Sequence, residues 1–459
     1  MTKSCFVTII PDLPGKNKEH LRNRGKTAER RGPGPLLDKQ KCECYSTTSI
    51  PGKRNPMTKL EQVLYEAQKA DHKYIVNLRR CFHQHPELAK EEFETQRKIE
   101  EELDKLGIEH QRTAGTGVYA EITGTKPLKE GAKKRTIVLR ADIDALPITQ
   151  ENDVPYHSLT PGKMHACGHD AHNASLIGAA RILASHRDLF SGTVRFTWQP
   201  GEEIGYGARV IVEEGKLDGA NRTFGIHTAS NVPVGKVVVM EGPNNASVDM
   251  FRIRVHGLGA HVSTPERGVD AAYIASQIVV GAQALVTRRT SPMDNALIGI
   301  GKMTAGTAYN VVAQEALLEG TIRVMLPELR AQIKKELKEL AEATARIYGG
   351  SCEVEFEDYT SPLLNDPQAS REAQKAAISI FGSDNVITSR KPSLTGDDFA
   401  EYILKVPGVY VYVGSGNPEK PDTMEAQHSC RFDIDEGALE TAVSIYTIYA
   451  VEYLEGLLD

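Results

Sequence analysis

"RTIVLRAD" at residues 135–142 is an apolar run that ends in charged residues, the pattern of a buried β-strand that ends at the edge of a sheet. Two similar runs follow, GTVRFTWQP at 192–200 and FGIH at 224–227. The small and aliphatic residues of HNASLIGAARILAS (172–185) predict a helix between the first two strands. Such alternation favours a largely parallel sheet with helices on both faces. We therefore predict an α/β fold.

A second pattern occupies residues 241–357. DMFRIRVHG (249–257) alternates apolar with charged residues, which is typical of a half-exposed antiparallel strand. The pattern then predicts a helix at 269–288, strands at 295–302 and 316–325, an amphipathic helix at 328–349 and a strand at 352–358. This β-α-β-β-α-β order is that of a split-βαβ, ferredoxin-like unit. We predict an inserted module here, which interrupts a main domain made of residues 57–240 and 358–459.

The first 56 residues differ from the rest in charge. They hold twelve Lys and Arg against five Asp and Glu, and they show no helical or strand periodicity. A helix start follows, because Thr58 and Glu61 in MTKLEQVLYEAQ have the spacing of a capping box. We predict that the folded chain starts near Met57 and that residues 1–56 are a disordered extension. A targeting arm is the alternative, although such arms usually lack acidic residues.

The composition excludes several classes of protein. The formal net charge of the 459 residues is −6, which argues against nucleic acid as the main partner. No apolar run is long enough to span a bilayer, so we expect no membrane partner. Seven cysteines, scattered and odd in number, do not form a secreted disulfide framework. A reducing cytoplasm is the expected location.

Candidate metal ligands are concentrated in HACGHDAH (165–172). Cys167 and His169 are two residues apart, and the stretch has no second cysteine for a Cys-x-x-Cys redox motif. In an extended or turn segment their side chains can point to one side and share a metal or a metal pair. The remaining ligands must come from elsewhere in the chain.

Other candidate site residues follow the predicted strands. Asp142, Glu202, Glu203 and His227 are all placed in this way, and ligands of parallel sheets gather at the carboxyl ends of the strands. Since adjacent residues of an extended chain point opposite ways, Glu203 can bind a metal while Glu202 faces a substrate. His428 lies near the C-terminus.

Each of these residues also has an ordinary explanation. An isolated pair of glutamates is usually a solvated surface pair, and a lone histidine after a strand is usually only a hydrogen-bonded residue. The set is more informative than its members, because cysteine, histidine and glutamate together offer the ligand types that hold Zn²⁺, Mn²⁺ or Co²⁺. The candidate ligands are Cys167, His169, Glu203, His227 and His428.

Five motifs, in this order along the chain, resemble those of the N-acyl-amino-acid amidohydrolases. They are RRCFHQHPEL (79–88), LRADIDALPI (139–148), MHACGHDAH (164–172), QPGEE (199–203) and GIHT (225–228). That family includes hippurate hydrolases and indole-acetyl-amino-acid hydrolases, and it is related to the aminoacylases and carboxypeptidase G. The similarity runs from about Met57 to the C-terminus.

The resemblance implies a metal-dependent hydrolase that cleaves N-acyl-amino acids to a carboxylate and a free amino acid. It implies two divalent ions per subunit (Mn²⁺, Zn²⁺, Co²⁺ or Ni²⁺), with Cys167 as the bridging ligand and His169, Glu203, His227 and His428 as the others. Glu202 is then the general acid/base, and Asp142 orients the site. A thiolate that bridges two cations is chemically reasonable, because metal binding keeps it deprotonated.

The resemblance also assigns residues of the inserted module to the site. His261 is expected to stabilise the tetrahedral oxyanion, often from the partner subunit of a homodimer, although an exposed turn histidine is the ordinary alternative. Asn310 and Arg323 are candidates for holding the substrate carboxylate, a task that suits the bidentate guanidinium. On an alternating strand, Arg323 could instead be a plain solvated residue.

Some residues fall outside these roles. We expect His165 and His172 to pack or cap the helix after the HACGHDAH motif, and Asp170 to cap that helix or support a ligand. Asp397 occupies a position where relatives usually carry Glu, and Gln150 one where an acid is common. Neither departure touches the expected metal ligands, but either could alter substrate preference.

Two alternative functions remain open at this point. A dipeptidase or carboxypeptidase acting on small peptides would use the same chemistry, but no acidic residue clearly stands ready to bind a substrate α-amine. A non-catalytic metal or amino-acid binding protein is a more distant alternative. The presence of Glu202 speaks against it, because a binder needs no proton shuttle.

Overall fold

The computed structural model describes residues 57–459. The predicted disordered extension, residues 1–56, lies outside the described residues. The first helix begins at Lys59 as the capping box predicts, because the Glu61 N–H donates to Thr58 Oγ1 (3.2 Å) and the Thr58 N–H donates to the Glu61 carboxylate (2.5 Å).

Helices and strands alternate over most of the described chain. The helices are α1 Lys59–Gln84, α2 Phe93–Lys105, α3 His169–Ser185, α4 Gly207–Glu213, α5 Ala271–Ala284, α6 Pro327–Ile347, α7 Pro367–Phe381, α8 Phe399–Lys405 and α9 Gly437–Leu454. The strands are β1 His110–Thr113, β2 Gly117–Thr123, β3 Thr136–Asp142, β4 Thr193–Gln199, β5 Arg222–Pro233, β6 Val237–Val238, β7 Gly242–Asn245, β8 Val248–His256, β9 Ala296–Ala305, β10 Glu315–Val324, β11 Ser351–Thr360, β12 Leu363–Asn365, β13 Val386–Ile387 and β14 Gly408–Gly416.

The main sheet has eight strands in the order β1-β2-β4-β3-β5-β14-β6-β13. Its four central strands, β4-β3-β5-β14, are parallel to one another, as the alternation of strands and helices predicts. The β1–β2 hairpin pairs antiparallel with β4, and β6 pairs antiparallel with β14. The sheet is therefore mixed, with a parallel centre and antiparallel pairs towards its edges.

Helices cover both faces of this sheet, so the predicted α/β class is confirmed. In β3, Ile137 and Leu139 are buried in one core together with residues of α1, α3 and α9. Val138 points the other way, into a second core with residues of α4 and α8. Nearly every residue of β3 is buried because both faces are covered, which explains its continuous apolar run.

The segment predicted as an inserted module has its own antiparallel sheet, in the order β11-β8-β10-β9, with α5 and α6 in its core. Its chain order is β-α-β-β-α-β as predicted. In β8, Ile253 and Val255 are fully buried while Arg254 is exposed, which accounts for the alternating sequence. The short strands β7 and β12 pair with each other and flank the module in the chain. Between residues 57 and 459, no helix combines the length and apolarity needed to cross a bilayer.

Candidate metal centre

The five candidate ligands meet near the carboxyl ends of the central parallel strands. Cys167 Sγ lies 3.4 Å from His227 Nε2, and His428 Nε2 lies 3.3 Å from Glu203 Oε1. His169 Nε2 lies 4.0 Å from the same oxygen of Glu203. Cys167 and His169 are buried, whereas 53% of the His428 side chain is exposed, so the cluster opens to solvent beside His428.

The turn that carries Cys167 and His169 depends on Gly168. Its φ is +93°, and a Cβ at this position would lie 2.4 Å from the Thr228 hydroxyl, so only glycine fits. Helix α3 starts directly afterwards at His169. The prediction that Cys167 and His169 point to one side agrees with this geometry, since both contribute to one group of possible metal ligands with His227.

The backbone hydrogen bonds of the His169 and His227 imidazoles use Nδ1 and leave Nε2 of each for the cluster, where His227 Nε2 lies beside Cys167 Sγ. His169 Nδ1 lies 3.0 Å from the Asp144 carbonyl, and His227 Nδ1 lies 2.7 Å from the Thr228 carbonyl, so both Nδ1 atoms carry the hydrogen. Metal-binding histidines have this arrangement, because the bonded N–H fixes the tautomer and aims the other nitrogen at the metal. Burial and the nearby His172 lower the pKa of His227 well below its ordinary value, which keeps it neutral.

His227 does not end its strand, contrary to the sequence expectation. Strand β5 runs on to Pro233, because after His227 it continues to pair with β14 as far as Gly416. The side chain still faces the cluster because it shares a sheet face with Tyr410 and Tyr412 of the neighbouring strand.

The backbone conformation at Glu202 and Glu203 also differs from the one expected. They lie in a 3-10 turn, Glu202–Ile204, between Gly201 (φ +60°) and Gly205 (φ +59°), and not in extended chain. Because this turn rotates successive side chains around an axis, both carboxylates reach the neighbourhood of His169. That Glu203 binds a metal while Glu202 faces a substrate stays a prediction.

The surroundings of the two carboxylates differ strongly in charge. Glu202 lies beside Asp397 and Asp398, and its Oε1 is 3.4 Å from the Asp398 N–H. Burial, with Asp397 and Glu203 as further causes, raises the pKa of Glu202 well above its ordinary value. Burial also acts to raise the pKa of Glu203, but the His428 imidazole and His169 lower it on balance. Glu202 is thus the carboxylate suited to hold a proton, and Glu203 the one suited to bind a cation.

Asp142 is buried next to the cluster and bonds to both His172 and Arg140. One carboxylate oxygen lies 2.6 Å from His172 Nδ1, and the other accepts from Arg140 at 2.5 Å. Burial acts to raise the pKa of Asp142, but Arg140, His169 and His172 hold it well below its ordinary value. Arg140 also donates to Asp398 at 2.9 Å, so this buried guanidinium links the surroundings of His169 to those of Glu202.

The remaining polar residues of HACGHDAH are buried at or near the start of α3. His172 packs inside α3 as expected, and both of its nitrogens are engaged, since Nε2 accepts from the Thr228 N–H at 2.9 Å. Asp170 does not cap the helix: its buried carboxylate faces His83 (2.7 Å) and Arg79 (2.8 Å) instead. His165 is buried before the helix starts.

Two contributors were missed by the sequence reasoning. Asp144 holds His169 through its carbonyl and also accepts the Glu203 N–H at 3.0 Å, so one residue fixes two candidate ligands. Its position two residues after Asp142 was the available signal, because alternate residues of an extended chain share a side. The Tyr359 hydroxyl donates to the Glu203 carbonyl from the end of the module, and no local pattern marks it.

The candidate residues of the inserted module lie apart from this cluster. His261 is exposed and its Nδ1 is bonded to the neighbouring Ser263. Asn310 is also exposed and accepts the Val262 N–H at 3.1 Å, so these two loops adjoin each other. Arg323 is half-buried and donates to the Leu394 carbonyl at 3.2 Å. Within residues 57–459, no hydrogen bond or ion pair joins His261 or Asn310 to the cluster.

The cluster has the features of a cation site. His169 Nε2 and Glu203 Oε1 are both buried and face each other; within the described residues His169 Nε2 makes no hydrogen bond, and Glu203 Oε1 has only the His428 imidazole nearby, at 3.3 Å. Unpaired buried polar atoms are costly, and a cation between them would satisfy both. Burial, followed by the charge of Glu203, raises the pKa of the Cys167 thiol well above its ordinary value, so a cation is needed to hold it as a thiolate. The residues present therefore fit a divalent metal centre.

Comparison with known proteins gives the family. Residues 138–452 match the family described as peptidase family M20/M25/M40. The chain belongs to this family. An N-acetylcysteine deacetylase of Bacillus subtilis (strain 168) is 39% identical over 394 residues, which cover 85% of this chain and 99% of that protein. The resemblance inferred from the motifs is thereby confirmed.

Two further M20 relatives extend the comparison. Thermostable carboxypeptidase 2 of Saccharolobus solfataricus is 35% identical, and the match covers 83% of this chain and 95% of that protein. The crystal structure of a dinuclear metal binding peptidase of the M20 family from Bacillus subtilis matches with a TM-score of 0.73 and 37% identity. That match covers 84% of this chain and 99% of the other. The predictions of a hydrolase and of metal-dependent amide hydrolysis are confirmed by this membership.

Proposed function

We propose that this M20 hydrolase cleaves the amide bond of N-acyl-amino acids and uses two divalent cations held by Cys167, His169, Glu203, His227 and His428. The observation that carries the proposal is the convergence of these side chains beside Glu202, whose contacts are with Asp397 and Asp398. Five donors suit a pair of cations better than a single tetrahedral one, particularly when one donor is a thiolate able to bridge. The dinuclear M20 relative supports the same number of ions.

Glu202 performs the proton transfers in this proposal. When bound, the cations would polarise the scissile carbonyl and make the attacking water more acidic. Glu202 accepts the water proton and delivers it to the leaving amine, and the carboxylates around it favour its protonated form between the two steps. Asp144 and Asp142 hold His169 and the Arg140 network in place.

The inserted module completes the site in this proposal. His261 donates a hydrogen bond to the developing oxyanion, from the partner subunit of a homodimer, and Arg323 with Asn310 holds the substrate carboxylate. The exposure of His261 and Asn310 supports delivery of these groups to a site outside their immediate surroundings. We place the enzyme in the cytoplasm, which agrees with the free thiols of Cys81, Cys167, Cys352 and Cys430.

Peptide hydrolysis is the second candidate function. It is favoured by the relative named thermostable carboxypeptidase 2, whereas the relative named N-acetylcysteine deacetylase favours acyl-amino acids. The two reactions differ in whether the acyl side of the substrate carries an α-amine.

A substrate panel tests the proposal. The purified protein, supplied with Mn²⁺, Co²⁺ or Zn²⁺, is assayed on hippurate, N-acetyl-amino acids and unblocked dipeptides. We expect kcat/KM for the acylated substrates to exceed that for the dipeptides. Preference for the dipeptides would support the second candidate, and failure on every substrate with every metal would contradict both.

A further inference from the structure

The loop between β13 and α8, residues 388–398, contacts both the cluster and Arg323. At its C-terminal end it carries Asp397 and Asp398 to Glu202. In its middle, the Leu394 carbonyl accepts from Arg323 at 3.2 Å. Near its N-terminal end, Arg390 lies over the ring of Tyr412, with the guanidinium carbon 3.8 Å from the ring centroid.

Tyr412 neighbours both Arg390 and the candidate ligand His227. The Tyr412 ring centroid lies 6.2 Å from that of His227, so this tyrosine contacts Arg390 and neighbours a candidate metal ligand. Its hydroxyl donates to Asn245 Oδ1 at 2.8 Å, and Asn245 is bridged in turn to Ser393 of the same loop. The stack is therefore fixed on the face of the sheet that carries His227.

In the part of the chain that the structure describes, Arg390 has no acidic partner. No carboxylate of residues 57–459 lies within 4.0 Å of it, although its side chain is half-buried and its Nε is buried without a hydrogen-bond partner. Burying a guanidinium without hydrogen-bond acceptors costs free energy. Stacking on the Tyr412 ring offsets only part of this free energy, because the N–H groups at the edge of the guanidinium plane gain no acceptor from the ring. Arg323 is likewise half-buried and, within the described chain, without a carboxylate partner.

Two guanidinium groups without carboxylate partners among the described residues, Arg323 and Arg390, lie at one loop, whereas a substrate with a single carboxylate needs only one of them. We propose that Arg390 binds a second anionic group of the substrate, so that the preferred substrates are N-acyl-amino acids carrying two carboxylates. Arg323 holds the α-carboxylate, and the planar fork of Arg390 holds the second group. The second carboxylate can belong to an acidic amino acid or to a dicarboxylic acyl group, which present the same chemistry. This inference rests on the proposed function.

Two substrate pairs test it on the metal-loaded enzyme. N-acetylglutamate and N-acetylglutamine differ only in the charge of the amino-acid side chain, and N-succinylmethionine and N-butanoylmethionine differ in the charge of the acyl end. We expect the wild-type enzyme to prefer the charged member of at least one pair, and which pair shows the preference identifies the source of the second carboxylate.

The variants separate recognition from folding. Arg390→Met is expected to lower the charged-to-neutral ratio of kcat/KM about tenfold or more, mainly through KM, as for loss of a charge-assisted hydrogen bond. Arg390→Lys keeps the charge without the fork, so it should retain part of the preference. Lys391→Met, at the exposed neighbouring position, is the matched control and should leave the ratio unchanged. Metal content and melting temperature are measured for each variant to check that it folds.

The outcomes are distinct. Equal ratios for wild-type enzyme and Arg390→Met, or a wild-type enzyme that cleaves N-acetylmethionine without any preference for a second carboxylate, would overturn the inference. A wild-type enzyme that cleaves no acylated substrate would instead contradict the proposed function.

Discussion

The cluster at the sheet edge and the module loops contribute to the proposed site in different ways. Cys167, His169 and Glu203 are held by buried hydrogen bonds and by backbone turns that fix their side chains before any ligand binds. His261 and Asn310 are exposed, and their contacts are with adjoining loop residues. The proposed cation site is thus preorganised by the fold, while the proposed oxyanion and carboxylate contacts would require movement or a second subunit.

The largest effect should follow from changing Glu202, which tests the preorganised side. Glu202→Gln keeps the shape but cannot accept a proton, so kcat should fall about 10²–10⁴-fold, the range for general acid–base catalysis. Metal content, measured by plasma mass spectrometry, should stay at the wild-type level because Glu202 is not a proposed ligand. Joint loss of metal and activity would show that Glu202 binds the cations instead.

Replacing His261 tests the module side. His261→Ala should lower kcat about 10²–10³-fold, as for loss of one oxyanion donor, without changing metal content or melting temperature. Mixed dimers show which subunit supplies His261. A chain with Glu202→Gln and a chain with His261→Ala should together regain one working site if His261 acts across the dimer. If verified mixed dimers regain no activity, His261 acts in the site of its own subunit. If His261→Ala alone keeps wild-type activity, His261 has no role in the site.

A change at Asp144 tests whether the hydrogen bonds that hold the candidate ligands contribute to metal affinity. Asp144→Asn weakens the support of His169 and Glu203 while leaving all five candidate ligands present. Metal affinity should fall about 10–100-fold, the usual cost of losing a partner of a metal ligand. Titration of metal-depleted protein by calorimetry measures this, and Asn152→Asp, at a buried position hydrogen-bonded to Gln150, is a control that should leave affinity nearly unchanged.

The smallest effect concerns a buried carboxyl that belongs to neither region. Burial, with hydrogen bonding to Glu61, raises the pKa of Glu452 to about 8. Between pH 4.5 and 8 the folded chain therefore keeps a proton that the unfolded chain has lost, so this group makes the free energy of unfolding fall as pH rises through that window. Glu452→Gln should remove this dependence and leave kcat unchanged. Parallel wild-type and variant melting curves at pH 5 and pH 9 would contradict the assignment.

The sequence predicted those features that depend on local pattern. The apolar run of β3 and the alternation in β8 follow from how many faces of each strand are covered, and both elements were predicted within a few residues. Glu203 and His227 were selected because they follow predicted parallel strands, Cys167 and His169 because of their spacing, and the family resemblance implied the full set of ligands. The inserted module's limits, 241–357, remain a prediction.

Features set by distant contacts were not predictable in this way. His227 lies inside β5 because β14 continues to pair beyond it, and nothing near His227 in the sequence indicates that partner. The 3-10 turn at Glu202 depends on Gly201 and Gly205 with positive φ, which a Gly-Glu-Glu sequence does not specify. The roles of Asp144 and Tyr359 arise only when chain segments far apart in sequence meet.

Anomalous X-ray scattering from crystals grown with Mn²⁺ or Zn²⁺ tests the central claim most directly. We expect two peaks in each subunit, bordered by Cys167, His169, Glu203, His227 and His428, with the Glu202 carboxylate beside them but bound to neither. A single peak, peaks elsewhere, or Glu202 among the ligands would contradict it.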